Sequence, residues 1–319
     1  MKKLFLLISL LVLGSLTTSL FAQQQQNAPL KKEAYEDAAK RTTLVVLMSE
    51  DPKKTIKLKK TPEDYAAYQN DIQAFNDHLK AAVDKWWKFT EKFEYHSYGE
   101  ALKMSKGKGA KSYVVLMYQL QRNTQAPPSQ VINAVLPYKK LSTPEEWGCF
   151  ELRTPENLLA SKPALSIVKL PYLAPKDGDV VFAMQLMQFD LQNKTEGLNM
   201  GQVKRNVLNN GKVLQSKTLY FDKTEVDDNE LDETQMKKLY TYEYVIEDRD
   251  TIQSRIVNSS ADAAYIMIVP GEMNKMIHYI ISAEDGTVCL IWETTYDPKQ
   301  KRKQRVSVDA LKNYGRMAK

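Results

Sequence analysis

The chain is short of the residues on which most metal and nucleophile chemistry depends. Its 319 residues include three histidines, His78, His96 and His278, and no two of them stand at the four-residue spacing that sets two ligands on one helix face. A zinc centre or histidine general base therefore has no local support, and no metal or cofactor is expected. The two cysteines, Cys149 and Cys289, have no recognisable histidine partner. Both lie in apolar, strand-like stretches and read as buried free thiols, with a single disulfide between the halves as the alternative in an oxidising compartment. The Gly-x-Ser-x-Gly elbow of serine hydrolases is missing too, so no catalytic residue is assigned. Beyond residue 22, no stretch approaches the about twenty predominantly apolar residues that a bilayer-spanning helix needs.

Charge of one sign is also scarce. The formal net charge is +6, and setting aside Lys2 and Lys3 of the leader leaves +4. Acids accompany most basic runs, which excludes the clustered lysine and arginine of a nucleic-acid binder. The exception is "KQKRKQR" at 299–305, where Lys301, Arg302 and Lys303 are candidate contacts for an anionic envelope polymer.

What is present begins with an export signal. Lys2 and Lys3 precede "LFLLISLLVLGSL" and then "TTSLFAQ", the order of charge, apolar core and small-residue cleavage site in a secretory leader. Residues 1–22 are read as the signal peptide, cut after Ala22, and 23–40, opening with "QQQQNAP", as a disordered leader. The expected location is periplasmic or extracellular.

Three stretches invite a functional reading. "SKGKGAKSYVVL", from Ser105, carries the glycines and lysines of a phosphate loop, but its glycines follow a helix and enter a strand, the reverse of that loop's order. Gly107 and Gly109 are read as the turn ending the helix. "DKTEVDDNELDE", from Asp222, lacks the glycine and the ligand register of a calcium loop and reads as a solvated connection. In "KWWKF", Trp86 continues an apolar helical stripe and reads as core. Trp87 points elsewhere and is the candidate contact residue, since aromatic rings concentrate in interfaces.

The pattern along the chain is α+β or α/β. "RTTLVVLM" reads as a buried strand. A helix over 62–88 follows, with Thr61 as cap, Pro62 first, Glu63 and Asp64 in its first turn, and Tyr65, Tyr68, Ile72, Phe75, Leu79, Val83 and Trp86 on one stripe. "KFEYHS", "YGEALKMS" and "KSYVVLMYQL" complete a β-α-β-α-β order. A stretch broken by prolines follows, in which "QVINAVLPY" and "GCFELRT" are candidate strands. "DVVFAMQLMQFDLQNK" is a helix opening the second half, where "SKTLYFD", "ETQMKKLY" behind an Asp232 cap, "YEYVIED", "DTIQSRIV" and "AAYIMIVP" repeat the order. A hairpin over 275–295 turns at Asp285-Gly286, and "VSVDALKNYG" closes the chain as a helix.

The expected architecture is two βαβαβ-like sandwich domains, 41–159 and 160–319, with mixed sheets covered by helices. Thr43-Leu44 echoes Thr218-Leu219, Glu94-Tyr95 echoes Glu243-Tyr244, and Tyr113 to Leu116 echoes Tyr265 to Ile268. These matches are short, and tandem duplication and chance both account for them.

With its "LFAQ" signal and two such halves, the chain resembles uncharacterised exported α/β proteins of Gram-negative envelopes. Its strand and helix order over 41–120 and 216–270 is similar to that of the amino-terminal domain of the Tol-system translocation protein. No motif accompanies the likeness, so it implies a fold and carries no functional residue. The expected function is a non-catalytic binding or assembly module whose partner is an envelope protein or an anionic or glycan polymer. The alternative is an envelope hydrolase acting on glycan or peptide through acids, such as Asp227 and Asp228, that converge only in the fold.

Overall fold

The computed structural model describes residues 30–122, 146–158, 164–173, 175–226, 231–271, 275–295 and 306–319. The first half runs α1 (Lys32–Ala39), β1 (Thr42–Leu47), α2 (Pro52–Leu58), α3 (Pro62–Trp86), β2 (Lys92–Ser97), α4 (Tyr98–Met104), β3 (Tyr113–Arg122), β4 (Glu146–Arg153) and β5 (Ser166–Lys169). The second runs α5 (Asp177–Glu196), α6 (Met200–Asn210), β6 (Thr218–Asp222), α7 (Glu233–Leu239), β7 (Tyr244–Glu247), α8 (Arg249–Val257), β8 (Ala263–Pro270), β9 (Lys275–Ser282), β10 (Val288–Thr295) and α9 (Val308–Met317).

The two sheets share one plan. The first has the order β2-β1-β3-β4-β5 and the second β7-β6-β8-β9-β10. In each, the first strand pairs in parallel with the second and third, and the last two strands are antiparallel. The α+β class with two five-stranded mixed sheets is thus as expected from the sequence.

Register corrects the residue matches. Leu44 stands opposite Glu94 and Val115, while Leu219 stands opposite Tyr244 and Ala264. If Leu44 corresponds to Leu219, then Glu94 corresponds to Tyr244, one place away from the sequence match, and Val115 to Ala264, three places away. Odd offsets exchange the faces of a strand. Tyr95 accordingly packs on the shared core while Tyr244 packs on the outer one. The echo lies in topology rather than in the quoted words.

Both sheets are covered on both faces. Outside the first, Leu44, Val46, Val115 and Met117 pack with Ala101 of α4. Outside the second, Leu219, Phe221, Ala264 and Ile266 pack with Met236 of α7 and with Leu311 and Tyr314 of α9. The inner faces share a single core. Helix α3 contributes its stripe, with Tyr68, Ile72, Phe75, Leu79 and Val83 buried. Pro62 starts it as expected, although the Thr61 side chain makes no capping bond. The capping box here belongs to α4, where Ser97 Oγ accepts from Glu100 N at 3.3 Å and Glu100 Oε2 accepts from Ser97 N at 2.9 Å.

Helix α5 joins the halves. Val180 to Met184 are all buried, as are Leu186, Met187 and Leu191, and a helix apolar nearly all round is one surrounded by protein. Toward β5, Ser166 Oγ donates to Asp190 Oδ2 at 2.5 Å and Lys194 Nζ to the Leu165 carbonyl at 2.9 Å. Toward the second sheet, Phe182 lies 5.8 Å from the Tyr279 ring and Tyr265 donates its hydroxyl to Gln185 Oε1 at 2.5 Å. At its start, fully buried Asp179 accepts from Arg249 Nη2 and, at 2.9 Å, from Gln253 Nε2, both on α8.

Three local expectations change. Within the expected leader, residues 32–39 form α1, whose Tyr35 and Ala38 are buried in the shared core, so the apolar surface there is enough to order the chain. Between β1 and α3, where the sequence reading placed no element, stands α2, started by Asp51 Oδ1 accepting from Lys53 N at 2.8 Å and by Pro52. Helix α6 was not anticipated. It is opened by Asn199 and Gln202 as a reciprocal box. Residues 1–22, read from the sequence as a signal peptide, and "QVINAVLPY" lie outside the described residues, and among those described no helix is long and apolar enough to cross a membrane.

Candidate functional site

Beyond the buried Gln185, helix α5 leaves one stripe partly exposed toward its C-terminal end. Gln185, Gln188, Phe189, Gln192, Asn193 and Glu196 follow at spacings of three and four, which place them on one face. The remaining lining comes from Asn206 and Asn210 of α6, the β9–β10 turn from Asp285 to Val288, and Trp86 at the end of α3. Together they enclose a groove of about 380 Å³, near the lower end of the usual range for small-molecule sites, about 300 to 1,000 Å³.

The carboxamides are positioned by bonds that use one side of each group. Gln188 Oε1 accepts from Lys88 N at 3.0 Å, which leaves its Nε2 as a donor and ties the end of α3 to α5. Asn210 Nδ2 donates to the Val288 carbonyl at 3.1 Å, Asn193 Nδ2 to the Phe189 carbonyl at 2.8 Å and Gln192 Nε2 to Glu196 Oε1 at 3.0 Å. These three keep an amide oxygen as acceptor. Gln185 is 3% exposed, and with its oxygen taken by Tyr265 its Nε2 has no hydrogen-bond partner among the described residues. Trp86 Nε1 is likewise buried without a partner among them. Each of these amides therefore keeps at least one hydrogen-bonding group unspent by the protein bonds named.

Among the described residues the charged side chains lining the groove are Glu196 and Asp285, with Lys85 Nζ 5.5 Å from the Trp86 ring beside it. Asp285 is partly buried, which by itself raises a carboxyl, but bonds led by that from Thr287 N hold it below the usual carboxylate range. A phosphate or carboxylate ligand is therefore disfavoured here, and a neutral polar one is favoured. The turn is close-fitting: Gly286 has φ +75°, and a Cβ placed on it would lie 2.9 Å from Gln185 Cγ. A second, larger cavity of about 900 Å³ is lined by Lys40, Arg41, Lys92 and Lys111 together with Glu36, Asp37 and Glu91, mixed charges that select no ligand sign.

The residues singled out in the sequence fall elsewhere. Trp87 is 4% exposed, and its Nε1 donates to Thr43 Oγ1 and Thr90 Oγ1 at 3.1 Å each. It is a core residue, not a surface contact. The reason is backbone: α3 ends at Trp86, and Trp87 has extended backbone with φ −77° and ψ 114°, so the helical wheel no longer describes it. Trp86, expected in the core, is the half-buried groove residue. Lys301, Arg302, Lys303, Asp227 and Asp228 lie outside the described residues.

The histidines are dispersed. His78 pairs with Asp177 at 2.8 Å, His96 with Glu94 at 3.0 Å, and His278 is buried against Tyr314. Among the described residues no three His, Cys, Asp or Glu side chains gather as metal ligands.

Cys149 and Cys289 are buried and unpaired, in agreement with the preferred reading over the disulfide. Burial raises both thiols, that of Cys289 to about 12 and that of Cys149 well above the ordinary value, so neither is a thiolate nucleophile at neutral pH. A thiol reagent is expected to find no reactive group in the native protein at neutral pH and two after unreduced denaturation. Rapid modification of the native protein would contradict this burial.

The groove has no contiguous signature in the sequence because its walls come from four separated segments, yet one signal is there. A helix apolar nearly all round that also carries neutral amides at helical spacing, where surface helices normally carry charge, marks a polar face kept for something other than solvation. No protein family, curated protein or solved structure is matched by the chain.

Proposed function

We propose that the protein is an exported, non-catalytic binding module of the cell envelope, and that the groove beside α5 takes a neutral ligand rich in hydroxyl and amide groups, as an envelope glycan is. The observation that carries this reading is the set of half-engaged carboxamides: protein bonds fix Gln188, Gln192, Asn193 and Asn210 while leaving each a donor or acceptor for a ligand. Preorganised polar groups beside an aromatic residue are what a hydroxyl-rich ring requires, since its polar edges need partners and its apolar face needs contact.

Hydrolysis is the weaker reading. Glycoside cleavage needs a carboxyl held protonated as general acid beside a second, ionised one. The Asp285 carboxyl is lowered, which suits a hydrogen-bond acceptor rather than a proton donor.

Titrating soluble envelope glycan fragments into the protein tests the proposal, with tryptophan fluorescence and calorimetry as readouts. Saturable binding is expected, and the double variant Gln188→Ala with Asn210→Ala should weaken it at least about fivefold, at about 0.5 to 1.5 kcal/mol for each hydrogen bond. Binding unchanged in the double variant would move the site elsewhere. Turnover of the fragments would instead favour the hydrolase.

A further inference from the structure

Helix α6 carries a surface of its own, apart from the groove. We propose that its outward side is a membrane contact that takes the surface of an anionic phospholipid bilayer, which goes beyond the glycan reading and does not depend on it.

Helical spacing divides α6 into three sides. Val203 and Val207 turn toward the protein, Val207 being buried and Val203 half-buried. Asn206 and Asn210 line the groove. The remaining side is made by Met200, Lys204 and Leu208 at intervals of four, with Gly201 and Arg205 one place on. Met200 is 69% exposed and Leu208 48%. Exposed apolar residues scattered singly call for no explanation, but here two share one helix side with two cations.

Charge on this side is of one sign. Lys204, Arg205 and, just past the helix, Lys212 are exposed, and none of them forms an ion pair or a side-chain hydrogen bond among the described residues. No acidic residue stands between Glu196 and Asp222 in the chain, and Glu196 belongs to the groove. The complementary partner is therefore anionic.

Size and composition favour lipid over an acidic protein. A helix of eleven residues is about 16 Å long and about 10 Å across, so this side falls well short of the about 800 Å² that each partner gives to a stable protein interface. The centre of such an interface is depleted of charge and anchored by aromatic rings, whereas here cations stand between two aliphatic side chains and α6 has no aromatic residue. A bilayer asks for neither fixed geometry nor large area. Each basic residue gains from the surface potential and each apolar one from the area it buries. Lysine and arginine stems can lie along the apolar layer with their charges among the headgroups, and methionine adapts its shape to a fluid surface.

Co-sedimentation with lipid vesicles provides the test, on the chain from Gln23 onward, because the apolar run within residues 1–22 would itself bind lipid. The bound fraction is expected to be at least about fivefold higher on vesicles of equal parts phosphatidylglycerol and phosphatidylcholine than on phosphatidylcholine alone, and to fall as salt is raised. The double variant Lys204→Gln with Arg205→Gln should weaken binding to the anionic vesicles at least about tenfold, and Leu208→Ser at least about threefold. These side chains are exposed, so the melting temperatures should match that of the wild type; should the double variant melt early, Lys204→Gln alone replaces it, with a loss of at least about threefold. No preference for anionic vesicles, or undiminished binding in the double variant, would overturn the proposal. Loss in the double variant with Leu208→Ser binding as the wild type does would overturn it in favour of a soluble anionic polymer read by charge alone. Lipid-free dimerisation that the double variant abolishes would overturn it in favour of a second copy of the chain.

Discussion

Replacing Trp87 with alanine is expected to lower stability by about 3 to 5 kcal/mol, the usual cost of deleting a buried aromatic side chain. At about 2 to 4 °C per kcal/mol for a chain of this size class, the melting temperature should fall by roughly 10 °C. Two losses combine. The ring fills the junction between the end of α3 and β1, with Phe89 edge-on at 6.0 Å, and its removal leaves a cavity. It also closes a polar chain. Thr90 Oγ1 donates to the Lys92 carbonyl at 3.0 Å, so the 2.7 Å contact between the two threonines is a bond from Thr43 to Thr90, and Trp87 Nε1 donates to both oxygens. Trp87→Phe separates the terms, since it restores most of the volume and none of the donation, and it should recover more than half of the loss. Trp86→Ala provides the contrast, because that ring is only half buried and its N–H bonds to nothing in the protein among the described residues. A Trp87→Ala protein that melts with the wild type would mean that the ring is exposed after all.

Acid is expected to destabilise the fold well before the carboxylates titrate, and His278 should be the cause. The ring is 1% exposed, its Nδ1 lies 2.5 Å from the Tyr314 hydroxyl, and Trp292 stands edge-on at 4.9 Å. Burial lowers its pKa from 6.5 to about 3. In the unfolded chain the imidazole takes up a proton near pH 6.5, while in the folded protein it remains neutral down to about pH 3. The unfolded state therefore binds more protons across that window. Stability is complete above pH 6.5 and falls as the pH drops toward 3, at up to 1.4 kcal/mol per pH unit and about 4 to 5 kcal/mol over the whole range. The carboxyl groups of Glu50, Glu100, Glu233, Asp250 and Asp285 are all lowered, so their contributions are lost below about pH 4.5. The interval from pH 6.5 to 4.5 thus isolates the histidine. Denaturant unfolding at several pH values should show a loss of about 2 to 3 kcal/mol there in the wild type and a much flatter curve in His278→Gln. Equal slopes in the two proteins would assign the acid sensitivity to another group.

Much of the fold was legible because its strands and long helices carry clear periods. The stripe from Tyr68 to Val83 and the alternation of the β9–β10 hairpin are read directly from the chain, as are Pro62 and the Asp232 cap, where Gln235 N meets Asp232 Oδ1 at 2.7 Å. The reading failed where the decisive fact was a break in a period or an encounter across the fold. The two tryptophans exchanged roles because α3 stops between them. Tyr35 gave no sign that a polar leader was about to become a packed helix, because only the finished core supplies its neighbours. Val181, Met184, Met187 and Leu191 stand at helical spacing within "DVVFAMQLMQFDLQNK", yet Phe182 and Ala183, equally buried, reveal a second covered face. The groove lay beyond reach for the same reason, since Trp86 and Asp285 meet only in three dimensions.

Sharing α5 also means that the chain has no harmless place to be divided. A fragment ending before Asp177 would lay bare the inner face of its sheet, and one beginning there would keep the helix but lose the side chains that the first half supplies to the shared core. Either piece would display an apolar patch of the kind that drives association. Two halves built on one plan have thus become dependents, each serving as the other's protection from aggregation.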